Sequence, residues 1–188
     1  MILPIPGDRL TNTGVEVLFR TKAESGRGAA GIQPPTWLAI WHRRVPDDAP
    51  REATELGDTL DAPVLLHPGD DVLWRMTHPD ENFRAVSDGD TLTVGGTELC
   101  ALHTPGHSPG SVCWYAPDLD AVFSGDTLFS GGPGATGRSF SDFPTILQSI
   151  SGRLGKLPGD TVVYTGHGDT TSIGDEIIHY DEWVARGH

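Results

Sequence analysis

Three short stretches place histidine or aspartate beside glycine: TPGH (104–107), SGDT (124–127) and TGHG (165–168). Glycine lets the backbone turn sharply and leaves the neighbouring side chain projecting from the turn. Imidazole nitrogen and carboxylate oxygen are the donors that zinc and similar divalent ions take in open catalytic sites, and one carboxylate can bridge two ions through its two oxygens. His107, Asp126 and His167 are therefore candidate metal ligands. Taken singly, each has a plainer reading: Gly-His as a surface loop pair, aspartate as a turn residue bonded to its own backbone. All three follow strand-like runs, and together they favour metal binding. Within HTPGHSPGSV (103–112) the two prolines and two glycines argue against a helix. His107 is its ligand candidate, and His103 reads as a scaffold residue closing the loop.

The surrounding patterns are those of a sheet whose strand ends carry these turns. DGDTLTVGG (88–96) leads through a Gly-Gly turn into TELCALH (97–103), a hairpin. SVCWYAP and LDAVFSGD form a second pair joined by the turn residues PDLD. SDFPTILQSISGRLGKLP predicts a helix with Ser141 or Asp142 as N-cap and an apolar stripe at 146, 147, 150, 154 and 157. TVVYTG is a further strand, and SIGDEIIHYDEWVARG predicts one helix with Ile173, Ile177, Tyr180 and Val184 on a common face. Earlier in the chain, VEVLF (15–19), WLAIW (37–41) and PVLLH (63–67) read as strands, and PREATELGDTL as a short helix with proline in its first turn. Hairpins followed by helices suggest sheets covered on the outside by helices, with functional groups on the loops at strand ends.

Composition narrows the partners. The 188 residues, 37% of them hydrophobic, suit one domain with a sizeable core. A formal net charge of -13, with the acids spread along the chain, argues against nucleic acid or an anionic membrane as the main partner. There is no apolar run of membrane-spanning length, and MILPIPGDRL lacks the features of a signal peptide. Cys100 and Cys113 sit in strand-like runs with no basic neighbour, and read as reduced core residues rather than nucleophiles. A cytoplasmic protein acting on a small-molecule substrate is the expectation; oligomeric state is not encoded in any pattern found.

The stretches HTPGHSPGSVCWY, AVFSGDTLF, GGPGATGRSFSDFPTILQSI and VVYTGHGDTTSIGDE together resemble the metallo-β-lactamase superfamily, and within it the glyoxalase II-like (hydroxyacylglutathione hydrolase-like) hydrolases. The resemblance spans about residues 58–188, with residues 1–50 matching poorly, and treats residues 1–188 as a single domain. It implies an α+β fold, an αββα four-layer sandwich with a metal site at one edge between the sheets. It further implies His107 as a ligand of a first metal, Asp126 as the bridging carboxylate and catalytic residue, and His167 as a ligand of a second metal. The implied activity is hydrolysis of a thioester or other ester by metal-activated water.

One departure stands against this pattern. Where the family carries His-x-His-x-Asp-His, this chain has WHRRVPDDAP (41–50). If His42 takes the first position, Arg44 stands in place of the second histidine, and Pro46 and Asp47 in place of the Asp-His pair. Two arginines oppose a second cation. The expectation is one divalent ion, zinc, rather than two, held by His107, Asp126 and His167 with an open position for water, and with His42 as a possible fourth ligand. Two explanations of the departure stand side by side: divergence toward an impaired or non-catalytic member of the fold, and a reading-frame change upstream of about residue 55.

GPGATG (132–137) formally matches Gly-x-Gly-x-x-Gly, but no helix follows at once and no partner acid lies at the right spacing, so it reads as a loop beside the metal site rather than a dinucleotide motif. Arg138 in this loop is a candidate for a substrate carboxylate, and equally an exposed arginine. His67 and His78, each before a proline, read as strand-end or turn residues.

Overall fold

The computed structural model describes residues 63–94, 96–166 and 168–187, together with the backbone of two earlier strands. Those two are β1 (Val15–Arg20) and β2 (Trp37–Trp41), an antiparallel pair at the two segments read as strands, and β2 approaches the central sheet. The expected helix over PREATELGDTL lies outside the described residues. β3 (Leu65–Leu66) and β4 (Arg84–Ala85) form a short parallel pair. Between them lies α1 (Asp71–Thr77), an element the sequence does not announce, because seven residues are too few to show an apolar period.

The framework is a six-stranded sheet in the order β12-β11-β8-β7-β6-β5. Its strands are β5 (Thr91–Val94), β6 (Thr97–His103), β7 (Val112–Ala116), β8 (Ala121–Gly125), β11 (Val162–Thr165) and β12 (Thr171–Ser172). Both expected hairpins are present, with Val94 paired to Thr97 and Ala116 to Ala121. β6 and β8 each run antiparallel to β7, and β11 runs parallel to β8. The chain therefore leaves β6, β8 and β11 in one direction and at one edge.

Side chains alternate across this sheet with a period of two, and both faces are apolar. Leu102, Cys113, Tyr115, Val122 and Val163 meet one cluster, completed by Ile146, Leu147, Ile150 and Leu154. Leu99, Ala101, Val112, Trp114, Ala116 and Phe123 point the other way, into a second cluster with Leu65 and Val86 from the β3/β4 side. A sheet apolar on both faces is what a sandwich requires of an inner layer. α2 (Phe143–Gly152) covers the first face; Asp142 is its N-cap and accepts a hydrogen bond from the Thr145 N–H, and the Thr145 hydroxyl together with that N–H holds the Asp142 carboxyl below the usual carboxylate range.

The last segment differs from the single helix expected of it. α3 (Ile173–Ile177) and α4 (Tyr180–Arg186) are separated by a break at Ile178 and His179. The break shifts the register, so Trp183 rather than Val184 enters the core: Trp183 is 3% exposed and Val184 51%. None of the helices among the described residues is long and apolar enough to cross a membrane.

This register makes a testable contrast. Trp183→Ala should cost about 3–5 kcal/mol, whereas Val184→Ala should stay within about 0.5 kcal/mol. Urea denaturation of the two variants checks it, and equal losses would show that the helix is continuous after all.

Candidate metal centre

The shared direction of β6, β8 and β11 carries the three glycine-flanked turns to one edge of the sheet. His107 lies in the turn after β6, and Asp126 directly follows β8. Their side chains meet: His107 Nε2 is 3.9 Å from Asp126 Oδ2, and both residues are largely removed from solvent. The other ring nitrogen, Nδ1, lies 2.8 Å from the carbonyl oxygen of Ala135. A carbonyl only accepts, so Nδ1 carries the proton, and in the neutral ring Nε2 presents its lone pair toward Asp126. A backbone carbonyl on the far nitrogen is how metal-ligating histidines are commonly oriented.

Two glycines make this approach possible. Gly106 has φ 136°, and a β-carbon there would collide with the backbone of Ile146, so the turn before His107 can lie flat on the start of α2. That contact is fixed by the Asp142 N–H, which donates to the Gly106 carbonyl at 2.7 Å. Gly166, at the end of β11, has its α-carbon so close to the Asp126 carboxylate that any β-carbon would overlap Oδ1. The TGHG turn is thus packed directly against Asp126 up to the residue before His167.

Beneath the edge, buried hydroxyls bind the turns together. Thr104 Oγ1 lies 3.2 Å from Thr127 Oγ1 and 3.1 Å from Cys113 Sγ, and all three residues are essentially without solvent exposure. One hydrogen bond therefore joins the first turn to the second directly behind His107 and Asp126. The Cys113 thiol, as expected of a core cysteine, is no nucleophile: burial pushes it up to about 11, although the Thr104 and Thr127 hydroxyls pull the other way. Ser149 of α2 adds a bond of 2.6 Å to the Pro105 carbonyl.

The outer side of the turn is braced from parts of the chain that carry no local signal. Asp70 accepts from Ser108 Oγ and from the Gly110 N–H, both at 2.6 Å. His103 donates from Nε2 to the Pro109 carbonyl at 2.9 Å and stacks on His67 with centroids 3.8 Å apart, consistent with the scaffold role expected of it. The His67 Nδ1 in turn accepts from the Gly69 N–H. Asp88 accepts from the His103 N–H and pairs with Arg153. Neither Asp70 nor Asp88 was legible as part of the site, since their partners lie 15 to 65 residues away.

The remaining candidates are placed differently. Arg138 is exposed, in a turn where its N–H donates to Ser141 Oγ and its carbonyl accepts from the same hydroxyl. The glycine run beside it is not all loop: β10 (Gly132–Pro133) pairs with β9 (Leu128–Phe129), and the Gly134 N–H donates to the Thr127 carbonyl. That hairpin delivers Ala135 to His107. Its tip is held by Glu176 of α3, a buried carboxylate accepting from the Gly131 N–H and the Thr171 hydroxyl, which sequence reasoning missed. His42 and His167 lie outside the described residues. Among the described residues, no group of three or more histidine, cysteine or carboxylate side chains converges as a metal site.

The sequence pattern of the metallo-beta-lactamase superfamily matches residues 28–167. A hydroxyacylglutathione hydrolase of Brucella anthropi is 49% identical over 90 residues, 47% of this chain and 33% of that protein. The chain thus spans about a third of the length of that relative. The protein ML0493 of Mycobacterium leprae is 35% identical over 161 residues, covering 76% of this chain and 73% of its own. Among solved structures, TTHA1623 in a di-iron-bound form is similar with a TM-score of 0.60 and 34% identity, over 68% of each chain.

Two outcomes are expected from this geometry. Thr104→Val should destabilise the fold by about 1–3 kcal/mol in urea, because it removes a buried hydroxyl that Thr127 Oγ1 and Cys113 Sγ both meet; an unchanged midpoint would show that this bond does not hold the turns. His67 should titrate below its ordinary value of 6.5, chiefly because burial disfavours its charged form and secondarily because His103 is stacked on it, against a weaker pull from Asp70 and Asp88. A depressed histidine pKa means that the native state favours the neutral ring, so this stability is present above 6.5 and is lost as pH falls toward the native midpoint. Proton NMR of the imidazole resonances reads it, and a midpoint above 6.5 would contradict the packing described.

Proposed function

The chain belongs to the metallo-β-lactamase superfamily, and on that footing we propose that it is a metal-dependent hydrolase acting on a thioester or other ester of a small molecule in the cytoplasm. The observation that carries the reading is the pairing of His107 Nε2 with Asp126 Oδ2 while the Ala135 carbonyl occupies Nδ1. The donors fit an ion. Their 3.9 Å separation exceeds a hydrogen bond, yet two donors each about 2.0–2.2 Å from a shared ion stand within roughly 4 Å of each other.

His107 and Asp126 would hold that ion, with His167 as the third ligand and His42 as a fourth. Zinc is the ion proposed, one rather than two, because Arg44, Pro46 and Asp47 stand where a second set of donors belongs. A bound divalent ion supplies acidity to water near neutral pH and polarises the scissile carbonyl. The chain's own residues do the rest. His107 is locked in the tautomer that offers Nε2 by its bond to Ala135, and Asp126 offers a carboxylate oxygen to orient the attacking water. The Thr104–Thr127 bond and Gly166 keep the two side chains in register. Arg138, exposed in the adjoining turn, would meet an anionic group of the substrate.

The altered WHRRVPDDAP segment favours a second reading, a member of the fold that has lost catalysis. Elemental analysis separates the two. The purified protein, dialysed without chelator, should retain about one equivalent of zinc, iron or manganese, lose it in His107→Ala and Asp126→Ala, and hydrolyse simple thioesters only when loaded. Well under one equivalent in the wild type would sink the hydrolase reading, and two equivalents would refute the single-ion site.

A further inference from the structure

Phe140 packs into neither apolar cluster of the described residues. Its backbone is in the left-handed region, φ 72°, where a β-carbon is strained and a bulky side chain is a true outlier. The side chain is 47% exposed and belongs to neither core cluster. A single exposed phenylalanine is ordinary on a protein surface. An exposed one held in a costly backbone conformation is not, because such strain persists only where the surroundings enforce it and collects at functional sites.

The surroundings here do enforce it, and they lead to the metal centre. On one side of Phe140 the chain is fastened to His107 through the Ala135 carbonyl. On the other, two residues on, the Asp142 N–H is bonded to the carbonyl of Gly106, next to His107. Between these anchors the Ser141 hydroxyl and N–H both donate to the Arg138 carbonyl, closing the turn that carries Phe140. Two extended residues reach at most about 7 Å. Phe140 is thus tethered within that distance of the strap on the His107 turn, beside an exposed arginine.

Resting on the thioester reading above, we infer that Phe140 is a specificity-determining residue: its ring provides the apolar contact for a hydrocarbon group of the substrate, adjacent to the anionic group met by Arg138. The substrate class is then a thioester carrying both a carboxylate and an apolar chain of several carbons. The strained φ is the consequence of placing an aromatic ring on a turn whose backbone is dictated by its two anchors.

The backbone gives the test opposite signs for structure and recognition. Glycine adopts the φ that Phe140 is forced into without the β-carbon clash, so Phe140→Gly should melt at or above the wild-type temperature. The probes are two non-hydrolysable thioethers, S-hexyl- and S-methyl-N-acetylcysteine, titrated calorimetrically into the protein as purified. The wild type should prefer the hexyl probe. Phe140→Gly should weaken hexyl binding about tenfold, the equivalent of 1.4 kcal/mol, and change methyl binding less than twofold; Phe140→Leu should restore most of the preference. Equal hexyl affinity in wild type and Phe140→Gly overturns the inference, as does a wild type that does not distinguish the probes or binds neither. A wild type that hydrolyses thioesters but shows no Phe140 dependence refutes this inference alone. One that hydrolyses none, yet binds hexyl through Phe140, refutes the hydrolase reading alone.

Discussion

A carboxylate removed from water costs several kcal/mol unless donors or a cation face it, and Asp126 is 7% exposed at the mouth of the sheet. Its position is set by the strand it follows, by the glycine that lets the next strand's exit lie against it, and by the imidazole held across from it. Changing any of these would disturb the seat of a buried charge. The ordering of β6, β8 and β11 in one direction is the topological means by which three turns distant in sequence come to share that edge.

The hydrogen-bonded shell explains how the pair is kept at a fixed separation. Hydroxyl to hydroxyl from Thr104 to Thr127 ties the two turns from within, and Asp70, His67, His103 and Asp88 brace the first turn from without. The hairpin of β9 and β10, anchored by buried Glu176, brings the Ala135 carbonyl to Nδ1. Packing alone would not set a ring orientation; a carbonyl on one nitrogen does. In this way a core built for stability also determines which nitrogen faces Asp126.

Parts of this were legible in the sequence because their causes are local. Alternating apolar residues with Gly-Gly and Pro-Asp turns mark the two hairpins, and Asp142 before Phe143-Pro144 marks the start of α2. Glycine beside His107 and Asp126 marks the turns that carry them. Other parts have causes that are not local. The bonds from Asp70 to Ser108 and Gly110 cross about forty residues, and Glu176 reaches Gly131 across 45. The break between α3 and α4 was hidden because Ile173, Ile177, Tyr180 and Val184 keep a helical period through it, while burial is decided by Trp183. The fate of the WHRRVPDDAP segment, and of His42 and His167, lies outside the described residues.

In the proposed site, His107 and Asp126 converge on one ion through Nε2 and a carboxylate oxygen. Anomalous diffraction at the zinc edge, from crystals of zinc-loaded protein, tests it most directly. The expected result is a peak about 2.0–2.2 Å from His107 Nε2 and from an Asp126 oxygen, with Nδ1 still bonded to the Ala135 carbonyl. A peak elsewhere, or a His107 ring turned to bind through Nδ1 with the Ala135 bond broken, would contradict it.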